Sequence, residues 1–202
     1  MRRTVTALAF TAAALALAAP AAAATWVFGS PLQPEAPGAT GTGEVTVTFD
    51  SDARTLEIMS NWSGLSGQTT IAHIHCCVAA PGTAGIAVTP GTLPGFPMGT
   101  SSGFYSALLD LSNPSTYTAN FLNTFGGGTT EGAQAALLAG LQDETAYFNI
   151  HTTTFPAGEI RGFTSAIPEP ESWGLMILGF GMVGAALRRK GSEGGATRAL
   201  TA

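Results

Sequence analysis

The sequence predicts one all-β domain, a sandwich or barrel-like fold with one short helix. Two observations predict this class. Short runs in which apolar and polar residues alternate recur along the chain, and a period of two is typical of half-buried strands. Gly, Pro, Ser and Thr separate these runs, as the turns of sandwiches and barrels require. About 140 residues, Thr25 to Ala166, are enough for one domain with a sizeable core.

The strands are predicted in chain order from their alternation. The first contains Val45, Val47 and Phe49, which alternate with threonines. A second strand begins near Leu56 and returns after the turn at residues 50–52. The second strand also contains Ile58 and Trp62. The further predicted strands are Thr69–Cys76, Ser102–Leu109, Thr145–Thr152 and Glu159–Ser165.

One helix and one long loop complete the predicted domain. The helix runs from Thr130 to Gln142, where an apolar stripe recurs at helical spacing. Its members are Gln134, Leu137, Leu138 and Leu141. The segment Ala79–Gly99 is rich in Pro and Gly, which predicts an extended surface loop without regular structure.

Residues 1–24 have every part of a secretory signal peptide. Arg2 and Arg3 form a positive start, residues 5–19 are apolar and uncharged, and Ala22-Ala23-Ala24 offers a small-residue cleavage site. We therefore expect an exported protein whose body begins at Thr25.

The C-terminal segment carries a second signal. The motif Pro168-Glu169-Pro170 precedes fifteen uncharged residues, Trp173–Leu187, and then the basic trio Arg188-Arg189-Lys190. A helix of that length rises about 22 Å, less than the ~30 Å hydrocarbon core of a bilayer. Trp173 and the basic trio would anchor it by snorkelling. The basic end is expected to stay cytoplasmic, with the body outside.

This arrangement resembles the PEP-CTERM sorting signal of Gram-negative bacteria. The resemblance covers Ile167–Lys190. It implies processing by an exosortase-type enzyme near the Pro-Glu-Pro motif, and release of the body to the cell surface or its exopolysaccharide matrix. A plain single-pass membrane anchor is the alternative. Residues 191–202, rich in Gly and Ala, continue past the point where such signals usually end and are expected to form a disordered tail.

The charge of the body excludes one class of partner. Arg54 and Arg161 are the only basic residues between Thr25 and Ala166, against ten acidic residues, so no basic face exists for a nucleic-acid backbone. The sequence contains no serine-nucleophile elbow, Walker loop or Rossmann fingerprint. We therefore expect a non-enzymatic binding or structural role, with extracellular polysaccharide or surface proteins as candidate partners.

The three histidines lie in two similar segments, IAHIH and YFNIH. Strand alternation places His73 and His75 on one face, opposite to Ile74. The same rule puts His151 on the outer or cleft-facing side if Ile150 packs into the core. Directly opposite Cβ atoms of paired strands lie about 5 Å apart, so pairing would let three imidazoles converge on a copper or zinc ion. The alternative is that each histidine only bonds a backbone carbonyl.

The segments AHIHCC and YFNIHTTTFPAGEIRGF resemble the CHRD domain, named for its occurrence in chordin. The resemblance covers most of Trp26–Ser165, is strongest at the histidine segments and Gly158–Gly162, and implies a β-sandwich module. The His-x-His strand and the later Gly-Glu-Ile-Arg-Gly segment also resemble copper–zinc superoxide dismutase at the level of fold. An immunoglobulin-like sandwich is the alternative fold for this domain. Dismutase activity is not expected, because that chemistry needs more histidines than the three in this chain.

Cys76 and Cys77 are adjacent and are the only cysteines. They point to opposite faces of an ideal strand, so regular geometry does not let both bind one metal. Adjacent residues form a disulfide only through a strained ring, yet an exported compartment is oxidising. The options are a vicinal disulfide, which we favour, two free thiols, intermolecular bridges, or metal ligation by one thiolate.

Glu159 and Arg161 are two residues apart in a predicted strand and therefore share a face. They are interpreted either as a functional carboxylate with its orienting cation or as an ion pair that pins the last strand. We favour the ion pair, because such pairs are common.

Overall fold

The computed structural model describes residues 25–168, 174, 176–185 and 187–188. The predicted signal peptide, Glu169 and Pro170 of the sorting motif, and the predicted tail at residues 191–202 lie outside the described residues.

The described domain is built mainly of strands, with three short helices between them. The strands are β1 (Thr25–Pro34), β2 (Thr42–Asp50), β3 (Thr55–Ser63), β4 (Thr69–His75), β5 (Ile86–Val88), β6 (Gly103–Asp110), β7 (Tyr147–Thr152), β8 (Ile160–Phe163) and β9 (Ser165–Ala166). The helices are a 3₁₀ turn at Pro114–Thr116, α1 (Ala119–Thr124) and α2 (Thr130–Gln142). The described residues from 174 to 188 are also helical.

The strands form a curled antiparallel sheet in the order β5-β4-β7-β8-β1-β2-β3-β6, and β9 pairs with β1. Strand β1 links the two halves of the sheet. Its residues up to Leu32 pair with β2, whereas Gln33 and Pro34 pair with β8. The curl encloses a single apolar core, in which side chains such as Phe28, Phe49 and Phe148 have no exposed surface. The prediction of an all-β sandwich or barrel-like domain is confirmed.

Most of the predicted elements are present. The alternating runs form β2, β3, β4, β6, β7 and β8, and α2 has the predicted bounds. Its N-cap Thr129 accepts a hydrogen bond from the Gly132 amide, which satisfies one of the free donors of the first turn. Strand β1 was not predicted, because Gly29, Pro31 and Pro34 interrupt its alternation.

The prediction that Ala79–Gly99 is a surface loop without regular structure is wrong. The segment contains β5, which pairs with β4, and it buries Val88, Leu93 and Phe96. Its prolines and glycines make the turns, while the apolar residues between them dock on the core. We call Ala79–Gly99 the covering segment, because its carbonyl groups close over the histidine side of β4.

Candidate metal centre

Strands β4 and β7 are neighbours and bring the three predicted histidines together. His73 and His75 lie on β4 and His151 lies on β7. In the antiparallel register, His73 is opposite Asn149 and His75 is opposite Tyr147. Because alternate residues share a face, all five side chains are on one side of the sheet.

The opposite side of these strands packs into the core. Ala72, Ile74, Phe148 and Ile150 belong to the apolar cluster and are at most 1% exposed. Burial of these four side chains orients both strands, because a one-residue slip of either strand would turn its histidines into the core.

The imidazoles converge in a buried space. One ring nitrogen from each histidine lies within 4.8 Å of the other two. His73 is 1% exposed, and His75 and His151 are each 8% exposed. Ligand nitrogens on a tetrahedral zinc ion lie about 3.3 Å apart, given bonds near 2 Å. Metal binding would therefore draw the rings inward by small side-chain rotations.

The covering segment fixes two of the three rings. His73 Nε2 bonds the Gly91 carbonyl, and His75 Nδ1 bonds the Ala84 carbonyl at 2.9 Å. A carbonyl oxygen only accepts hydrogen bonds, so each of these nitrogens carries its ring's proton. The prediction that the histidines face outward or into a cleft therefore needs one correction, since the covering segment encloses them.

The third ring is fixed in the same way, and one nitrogen of each ring is left over. His151 Nδ1 donates to the Pro156 carbonyl at 3.0 Å. The remaining nitrogens, His73 Nδ1, His75 Nε2 and His151 Nε2, are buried and have no hydrogen-bond partner. Each is the unprotonated nitrogen of its ring and carries a lone pair. Histidines that bind metals characteristically donate their other N–H to a carbonyl or carboxylate.

The site keeps His73 and His75 neutral. The pKa of His73 is lowered to about 4, mainly by burial and to a smaller extent by the nearby His151 and His75, while the bond to the Gly91 carbonyl acts to raise it. Burial is also the main cause that lowers the pKa of His75. At pH 7 both rings are therefore unprotonated at the nitrogen that a metal would use.

Acidification is expected to destabilise the metal-free protein between about pH 6.5 and pH 4. The unfolded state binds a proton at His73 in this window and the folded state does not, so the free energy of unfolding falls as the pH falls. A shift from 6.5 to about 4 corresponds to about 3 kcal/mol for this residue. Urea unfolding of metal-free protein over this pH range measures the slope. A His73→Ala variant with the same slope would contradict this assignment.

Tyr147 forms one wall of the site. Its ring stacks on His75 with 4.7 Å between centroids and 1° between planes. Its hydroxyl accepts a hydrogen bond from the Ala84 amide at 3.1 Å. The Arg161 guanidinium lies over the Tyr147 ring, with 5.2 Å between its central carbon and the ring centroid. Tyr147 therefore connects β7 to the covering segment at Ala84, whose carbonyl also bonds His75.

A chain of polar contacts runs from Asn149 through Glu35 to Arg161. The sequence did not predict these contacts as part of the site. Asn149 Nδ2 donates to Glu35 Oε1 at 2.7 Å, and Glu35 Oε2 pairs with Arg161 Nε at 3.1 Å. Arg161 also donates to the carbonyls of Pro81 and Gly82 in the covering segment. The shared face of Tyr147, Asn149 and His151 was readable from alternation, but the contact with Glu35 was not.

The predicted ion pair between Glu159 and Arg161 is wrong, since Arg161 pairs with Glu35. Glu159 is fully buried and accepts hydrogen bonds from Ser66 N (2.6 Å), Ser66 Oγ (2.9 Å) and Thr152 Oγ1 (2.6 Å). Strand β8 begins only at Ile160, so the shared-face rule does not extend to Glu159. Burial acts to raise the pKa of Glu159, but the hydrogen bonds outweigh it and hold that pKa below its usual value.

Cys76 and Cys77 are joined to each other as a disulfide at the end of β4. Cys76 is 2% exposed and belongs to the core cluster, where it lies against Gly140 of α2; a Cβ at that glycine would overlap the Cys76 sulfur. With both sulfurs in the disulfide, neither is a thiolate ligand for the histidine cluster.

These features define a small β-domain with a buried cluster of three histidines. The family model described as the CHRD domain matches residues 28–164, which is more than half of the chain, and the chain belongs to this family. The model described as the PEP-CTERM protein-sorting motif matches residues 166–190. Searches of curated proteins and of solved structures found no significant match.

The sorting motif indicates an exported protein with a membrane-anchored C-terminal signal that an exosortase-type enzyme processes. Helical residues of this segment, including Ile177, Phe180 and Met182, expose 70% or more of their surface. Within the described residues, no helix has both the length and the apolar character to cross a membrane.

Proposed function

We propose that this CHRD protein is a surface or matrix protein that binds one zinc or copper ion through His73, His75 and His151. The observation that carries this proposal is the set of three unpartnered, lone-pair nitrogens in one buried space. A backbone carbonyl fixes the proton of each ring on the other nitrogen.

A metal ion accounts for these nitrogens better than hydrogen bonding does. A buried acceptor without a partner costs about 1–3 kcal/mol, and this site has three of them side by side. One water molecule has only two O–H donors, so a single water leaves one nitrogen unsatisfied. Protonation of His73 is opposed at neutral pH by its lowered pKa. One cation with vacant ligand positions satisfies all three.

The donor set selects the kind of metal. Neutral imidazole suits zinc and copper, whereas calcium and magnesium take oxygen ligands. The group of described residues that can hold a metal contains histidines alone. The three neutral-type ligands would not offset the positive charge of the ion, because no carboxylate or thiolate belongs to this group of three histidines.

The proposed role is binding, with no catalytic set. Each histidine is at most 8% exposed, so a macromolecular substrate does not reach the metal position. A binding or structural role at the cell surface or in the exopolysaccharide matrix agrees with the sorting signal. Surface polysaccharide or surface proteins are the proposed partners of the acidic body.

Metal analysis of the purified protein tests this proposal. Protein loaded with zinc or copper and freed of excess metal is expected to hold one ion per chain by elemental analysis. Free metal at 100 times the dissociation constant should stabilise the fold by about 2.7 kcal/mol, which raises the melting temperature by roughly 5–10 °C. A loaded sample with no retained metal and an unchanged melting temperature would rule out the site.

A further inference from the structure

We propose that Asn149 is the fourth polar group of the metal centre, and that its Oδ1 accepts a hydrogen bond from a water molecule bound to the metal. This inference rests on the proposed function. It assigns the ligand of the fourth coordination position, a water, and the side chain that holds it.

Asn149 is placed at the histidine cluster by the sheet register. It lies on β7 directly opposite His73 and two residues before His151, so it shares their face. It is 2% exposed, and its Oδ1 is buried without a hydrogen-bond partner. A fourth orphan acceptor therefore belongs to a side chain on the same side of the sheet as the three histidines.

The orientation of the amide follows from its other partner. The Glu35 carboxylate only accepts hydrogen bonds, so the amide nitrogen must face it, and Nδ2 does so at 2.7 Å. Glu35 is held by Arg161, which is the β8 neighbour of Asn149 on the side away from His73. Because the nitrogen is engaged on the side of β8, we infer that the oxygen of the same amide is turned toward β4 and the histidines.

Gly158 leaves the space that this contact needs. A Cβ at this position would overlap Glu35 Oε1 and would lie 2.7 Å from Asn149 Nδ2. Its φ of +128° is also a backbone conformation that residues with a side chain rarely adopt. The chain thus brings a carboxylate against the amide nitrogen at a place where only glycine fits.

The chemistry leaves one kind of donor for Oδ1. The free histidine nitrogens carry lone pairs and donate nothing. Three histidines leave one position of a tetrahedral zinc ion open, and water takes that position in such sites. The bound water has O–H groups that the metal makes more acidic. One water therefore completes the coordination and supplies the donor that Oδ1 lacks.

The test uses Co²⁺ as a spectroscopic substitute for zinc and azide as a competitor for the bound water. Asn149→Ala is compared with wild-type protein and with Asn61→Ala, a control at an exposed position of β3. Loss of the hydrogen bond makes the water easier to displace, so the azide affinity of Asn149→Ala should rise about 3–10-fold. Asn61→Ala should match wild type, and all three proteins should bind one Co²⁺ per chain.

The outcomes separate this inference from the proposed function. If wild-type protein binds no Co²⁺, Zn²⁺ or copper ion, the proposed function fails. If all three proteins bind one ion and have equal azide affinity, the role of Asn149 is wrong and the three-histidine site stands. Loss of the metal from a folded Asn149→Ala protein would also overturn the inference, because Asn149 would then be a direct ligand. Should the variant not fold, wild-type protein still decides, since azide that leaves its Co²⁺ spectrum unchanged excludes an exchangeable water.

Discussion

Replacing His73 by alanine is expected to lower the affinity for zinc or copper by more than about 100-fold. Removal of a partner outside the ligand shell already costs about 10–100-fold, and this change removes a ligand. His73 is the central ring, with centroids 5.1 Å from His151 and 5.5 Å from His75. Competition with a chelator of known affinity measures the change.

The control for this variant is Ser60→Ala. Ser60 is also buried, at 2% exposed, but it lies on β3 in the other half of the sheet and donates to the Glu44 carbonyl at 2.9 Å. Its replacement should leave metal affinity unchanged. Because the chain has three histidines in total, the triple His→Ala variant removes every imidazole, and unchanged affinity in that variant would exclude the cluster as the site.

Replacing Glu159 by alanine is expected to lower the free energy of unfolding by about 3–5 kcal/mol. The change leaves several buried donors unsatisfied, and losing one partner of a buried charged network costs about this much. The carboxylate joins the turn at Ser66 to Thr152 at the end of β7. Urea denaturation with an unchanged m-value would measure the loss.

Glu44→Ala is the matched control, because Glu44 is an exposed glutamate on β2. It should change the free energy of unfolding by less than about 0.5 kcal/mol. The pKa of Glu159 is lowered, so its contribution is present at neutral pH and is lost as the pH falls through that pKa. Equal losses in the two variants would show that the Glu159 hydrogen bonds contribute little.

Local patterns predicted six of the nine described strands, β2, β3, β4, β6, β7 and β8, and the face of each histidine. Alternation is a property of a few neighbouring residues, and burial of Ile74 and Phe148 on one face leaves the other face to His73 and His75. Pairing of β4 with β7 was a condition in that prediction, which the sheet order meets. The geometry of the cluster therefore followed from a period of two plus one long-range pairing.

The remaining features depend on contacts between distant parts of the chain. Glu35 is 114 residues from Asn149, and no local signal connects them. The covering segment is a loop by composition, yet docking of Leu93 and Phe96 closes it over the histidines. Arg161 pairs with Glu35 instead of Glu159 because the start of β8 at Ile160 leaves Glu159 outside the strand.

X-ray absorption spectroscopy at the metal edge of the loaded protein tests the three-histidine centre most directly. The expected first shell contains three imidazole nitrogens near 2.0 Å and one further light atom, for a zinc coordination number of four. Outer-shell scattering from three imidazole rings should accompany it. A first shell of six oxygen ligands without imidazole scattering would contradict a metal centre built from His73, His75 and His151.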